Sequence, residues 1–219
     1  RSSDLFANLS RTFKRVLSGA GDLIIVNLLF LLCCIPVFTV GAAQAACYAR
    51  LIRVERHADD GLQIGAFFRD FRASFKQATL AWLLELACLF VFAGDIWFAV
   101  VYSEPVNKFF LIFAIVAAAV ILMACVWVYP LIARFENKLG GQIKNSFLMA
   151  FARFPVTLLA FVLQALVIAV PILFFDAFVY FGWYWLLFGF SLPMYLTVKL
   201  IKKQLRCELE DPKGEAERD

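Results

Sequence analysis

Residues 22–51 read DLIIVNLLFLLCCIPVFTVGAAQAACYARL, and between Asp22 and Arg50 they carry no charge. A bilayer core takes about 20 predominantly apolar residues per helical span, and a soluble fold has no need of an uncharged apolar run of this length. The stretch is therefore read as membrane-embedded. Pro36 divides it, because the ring removes an amide donor and disfavours helical geometry at Ile35, and Thr39 and Gly41 follow closely. Two helices are expected, over 22–35 and 39–54. The second carries Gly41, Ala42, Ala43, Ala45, Ala46 and Ala49, small residues that let a neighbouring helix come close.

The rest of the 219-residue chain has the same character, with 63% hydrophobic residues and a mean hydropathy of +0.81. Soluble domains stay near 45–50% apolar. Four further apolar segments are read over 77–102, 109–133, 155–175 and 182–200, with a tight turn at 103–108. Pro171 is expected to kink the outer end of the fifth segment, and Pro193 lies inside the sixth. Between these segments run amphipathic stretches. One covers 4–17; one covers 55–76, with Phe67, Phe71 and Phe75 recurring every fourth residue; one covers 134–153, with Phe147 and Phe151 on its stripe. Such stripes predict interfacial or partner-docking helices.

The fold class is all-α: a polytopic membrane helical bundle of six apolar segments in three hairpins, with amphipathic interfacial helices. Residues 1–205 form a single domain, and the charged tail 206–219 is expected to be disordered. Residues 22–35 reach only about 21 Å against a core about 30 Å thick, so five spans or a re-entrant first hairpin stands as the alternative. The chain begins at Arg1 and shows no cleavable-signal pattern, so residues upstream of Arg1 are expected.

Charge orients the bundle. Lys and Arg number 4 in residues 1–21, 6 in 50–76, 4 in 134–153 and 6 in 199–219, whereas Lys108 is alone in the turn on the other side. The positive-inside rule then predicts cytoplasmic termini and brings residues 36–39 toward the outer side. The net charge of +4 has no basic stripe interleaved with aromatics, so the bilayer rather than nucleic acid is the expected partner.

Little in the chain points to a reaction. His57, in a polar loop, is the single histidine; no phosphate-binding G-x-x-x-x-G-K-[ST] run occurs; and the six cysteines form no C-x-x-C pair. No catalytic residue, metal site or cofactor is expected. The intramembrane polar residues Asn27, Gln44, Glu85, Asp95 and Gln164 remain, each costly in hydrocarbon and expected to face protein or a wet cavity. They either fix helix packing or line a path. Glu85 is expected to face the bundle interior, with Asn27, Gln44 or Gln164 as its hydrogen-bond partner.

Asp22-Leu23 with Asn27, then Pro36, Thr39, Gly41-Ala42 and Ala46 with Tyr48, followed by FFRDFRASFKQAT at 67–79, resemble the YesL-like family of bacterial integral membrane proteins. The runs VYPLIARFEN and IKNSFLMAFARFP extend the resemblance over nearly the whole chain. It implies a multi-pass protein of the bacterial cytoplasmic membrane whose relatives are often encoded beside sugar-importing ABC transporters and polysaccharide-degrading enzymes. The family has no catalytic residue to carry over. The expected function is a non-enzymatic accessory subunit that docks through Phe67, Phe71, Phe75, Phe147 and Phe151 to a membrane partner such as an ABC permease, or to another copy of itself. The alternative is a small secondary transporter or channel with Glu85 on the path.

Overall fold

A computed structural model describes residues 21–55, 64–101, 105–135 and 137–207, and among them helices joined by short breaks are the only regular structure. The stretch 4–17, His57 and the tail after 207 lie outside the described residues. Helix α1 (Gly21–Cys33) and helix α2 (Val40–Glu55) form the first hairpin, joined through a 3-10 turn over Val37–Thr39. Thr39 Oγ1 donates to the carbonyls of Cys33 and Pro36 at 2.5 and 2.6 Å. The Thr39 amide also donates to the Pro36 carbonyl at 3.0 Å, so this one residue closes the turn after α1.

Helix α3 (Ile64–Val101) runs for 38 residues, about 57 Å. The separate amphipathic helix expected up to residue 76 is instead the first part of α3, because no glycine or proline stands between Gly65 and Gly94 to interrupt it. Helix α4 (Pro105–Arg134) likewise takes in residues 105–108, expected as turn; Pro105 sits at its first position, where a missing amide hydrogen costs nothing. After α5 (Leu139–Ala152), helix α6 (Phe154–Leu173) ends one turn beyond the start of Pro171's influence, two residues after the proline. The expected sixth segment is two helices, α7 (Phe175–Leu187) and α8 (Ser191–Cys207). Pro193 belongs to the first turn of α8 rather than to a helix interior, so its absent donor is one the first turn would leave unpaired anyway.

Among the described residues, three helices are long and apolar enough to cross a bilayer: α3, α4 from Phe109 onward, and α6. The apolar α1 is shorter, so six full spans do not follow from helix length. Packing explains how the short hairpin is held. Gly41 lies against the Ala78 carbonyl and the Trp82 side chain, and Arg53 of α2 forms a bidentate pair with Asp70 of α3 at 2.8 and 2.9 Å. Twelve residues separate Gly41 from Arg53, and twelve separate Asp70 from Trp82, so the two helices run antiparallel in step. Trp82 Nε1 donates to the Val37 carbonyl at 2.8 Å. The tip of the hairpin therefore stops midway along α3, and residues 83–101 extend about 28 Å past it. That geometry places residues 36–39 level with the middle of α3.

Lys202 of α8 pairs with Glu55 at the end of α2 at 2.8 Å, and Gln77 of α3 donates to the Asn137 carbonyl at 3.0 Å. We call this the basal end. Burial works to raise the Glu55 carboxyl, but hydrogen bonds from Lys202 and Tyr195 and the charges of Lys202 and Lys199 outweigh it and hold the group below the usual carboxylate range. A carboxyl lowered on folding contributes stability above its unfolded pKa and loses it as pH falls through the folded one. Thermal stability should therefore drop on acidification below about pH 4.5, and Glu55→Gln should flatten that limb. An identical acid limb in the variant would show that the pair contributes nothing.

Candidate functional site

Asn27 is fully buried on α1 and meets the break between α7 and α8. Its Nδ2 donates to the carbonyls of Trp185 and Leu186 at 3.0 and 2.7 Å, and its Oδ1 accepts from the amides of Phe190 and Ser191 at 3.0 and 2.9 Å. The last carbonyls of one helix and the first amides of the next have no partners within their own helices. One carboxamide supplies partners for two of each, using its full hydrogen-bonding capacity. Gly189 makes the approach possible: a Cβ there would stand 2.6 Å from the Trp185 Cα.

The other polar residues are placed apart from Asn27. Gln164 Nε2 of α6 donates to Tyr48 Oη of α2 at 2.9 Å and lies 3.4 Å from Thr197 Oγ1 of α8. Tyr48 and Thr197 are both buried, so this trio ties three helices together. Gln44 is half-buried on α2 and belongs to neither group, and Asp95 is exposed near the far end of α3.

Glu85 faces the interior as expected, but its partner is Tyr129 of α4, whose hydroxyl donates to Oε2 at 2.7 Å. Asn27 and Gln164 are occupied elsewhere, which corrects the expected pairing. Antiparallel neighbours advance in opposite directions, and eight residues separate Gln77 from Glu85 just as eight separate Tyr129 from Asn137. The two hydrogen bonds therefore lie in step along the antiparallel pair α3 and α4. A small, almost wholly apolar cavity of about 110 Å³ adjoins the pair, and Phe147 of α5 reaches into its lining.

The phenylalanines of the docking stripes divide in the same way. Phe67 is fully buried in the chain's own core, Phe71 packs half-buried against it, and only Phe75, at 36%, reaches the exposed range. On α5, Phe147 lines the Glu85 cavity while Phe151 is 63% exposed. A separate open groove of about 490 Å³, lined almost entirely by apolar atoms, lies between α1, α6 and α7, with Leu31, Val167, Pro171, Gly182 and Leu186 among its walls. Among the described residues no group of three or more His, Cys, Asp or Glu side chains is arranged to hold a metal ion.

Comparison with known proteins gives a family and a relative. Residues 23–96 match a family described as protein of unknown function, DUF624. Over 134 residues, 60% of this chain, the sequence is 30% identical to the Bacillus subtilis (strain 168) protein described as uncharacterized protein YesL, and the match spans 62% of that relative's length. No solved structure matches the chain.

Proposed function

We propose that this chain, which matches the DUF624 family over residues 23–96 and resembles the uncharacterized protein YesL, is a non-enzymatic membrane subunit that assembles with another membrane complex. The observation that carries this reading is the use of Asn27. In transporters built on interrupted helices, the half-helix ends at the break bind substrate or ion. Here those ends are taken up by the side chain of Asn27. Glu85 and Gln164 are likewise paired in separate places rather than around one shared cavity.

The partner surface is the apolar groove between α1, α6 and α7, which has room for one face of a partner's transmembrane helix. Phe75 and Phe151 provide further apolar contact. Resemblance to relatives encoded beside sugar importers makes a carbohydrate ABC permease the partner class, with the bundle in the cytoplasmic membrane, its basal end in the cytoplasm and the first hairpin re-entrant.

A Cβ at Gly182 meets nothing within 4 Å, so Gly182→Leu fills the groove without disturbing the fold. Copurification of the permease in mild detergent should fall by about tenfold in this variant, while the melting temperature holds. Undiminished copurification would remove the groove as the contact. Glu85→Gln keeps an acceptor for Tyr129 and should leave assembly and sugar uptake unchanged; loss of uptake with intact assembly would instead favour a transporter with Glu85 on its path.

A further inference from the structure

A cleft of about 760 Å³ opens at the basal end between α2, α3, the end of α4 and the connection into α5. Arg53, Lys76, Arg134 and Lys138 stand on its walls, contributed by three separate stretches of chain, and among the described residues Asp70 is the single lining carboxylate. The positive-inside rule accounts for basic residues flanking spans, but it does not require them to converge on one concavity.

The remaining lining suits an anion. Ala45, Ala49 and Ala73 keep the walls low, and the bidentate bond to Asp70 holds the Arg53 guanidinium in one orientation. Helix α5 begins at the rim, with Lys138 at its N-cap, no side-chain cap and no carboxylate in its first turn. Its partial positive charge therefore adds to that of the lysines.

We propose that this cleft binds a phosphate-bearing anion, held by Lys76 and Lys138 beside Arg134 and the fixed Arg53–Asp70 pair. Lysine serves phosphate as a mobile point charge and arginine as a planar fork, and both are present. Exposed apolar side chains continue along α3 past Lys76 at Leu80, Leu83 and Leu84, so acyl chains attached to a bound headgroup would lie along the helix. A free phosphate ester presents the same charge without the chains. This site is separate from the apolar groove of the proposed partner contact and does not depend on it.

The test is native mass spectrometry of the full chain in detergent, titrated with phosphatidylglycerol or phosphatidylcholine, with and without millimolar inorganic phosphate. Phosphatidylglycerol should be retained about tenfold better than phosphatidylcholine, and Lys76→Ala with Lys138→Ala should abolish the difference. The double substitution to arginine should keep it, and Lys144→Ala, an exposed cation on α5 outside the cleft, should change nothing. Both lysines are exposed, so the alanine pair should fold. Retention that survives inorganic phosphate identifies a lipid headgroup; displacement by phosphate, lost in the alanine pair, identifies a soluble ester. Equal retention of the two lipids together with no effect of phosphate, or binding that persists in the alanine pair, overturns the proposal.

Discussion

Replacing Asn27 by leucine should lower the stability of the fold by about 4 kcal/mol, one for each hydrogen bond lost at the break between α7 and α8. Leucine has nearly the same volume, so the loss would come from leaving two carbonyls and two amides buried without partners rather than from a cavity. Asn27→Asp separates the contributions. Its carboxylate can still accept from Phe190 and Ser191 but cannot donate to Trp185 and Leu186. The melting temperature in detergent should therefore fall in both variants. A leucine variant that melts with the wild type would show that the break is satisfied without Asn27.

Gly41→Val should be the second large effect. Even the first carbon of a new side chain would overlap the Ala78 carbonyl and lie 2.6 Å from the Trp82 Cβ, so α2 and α3 must separate. Overpacking of this kind costs about 1–3 kcal/mol, and more where a neighbouring backbone must move. Separation would also break the bond from Trp82 to Val37 that anchors the hairpin tip. Gly140→Ala is the control, because a Cβ there meets nothing and alanine favours the helix of α5 by up to about 1 kcal/mol. A lower melting temperature in the first and an unchanged or raised one in the second is the expected pair of results. Equal behaviour of the two would mean that close approach at Gly41 is not needed.

The elements that follow from local chemistry were legible in the sequence. The apolar run at 22–51, its division at Pro36, the small-residue face of α2 and the helical character of the remaining segments depend on hydropathy, proline geometry and side-chain size, which are properties of neighbours along the chain. What only the tertiary structure decided involves parts of the chain that share no local pattern. Asn27 reaches a break more than 150 residues away, Phe67 turns from an exposed stripe into core, and the four basal cations meet in one cleft. An amphipathic stripe states that one face is apolar, but whether lipid, a partner or the chain's own core covers it depends on which helices pack alongside. By itself the sequence thus determined which residues form membrane-type helices, and the packing of those helices decided where the interrupted helix, the hairpin tip and the polar side chains stand.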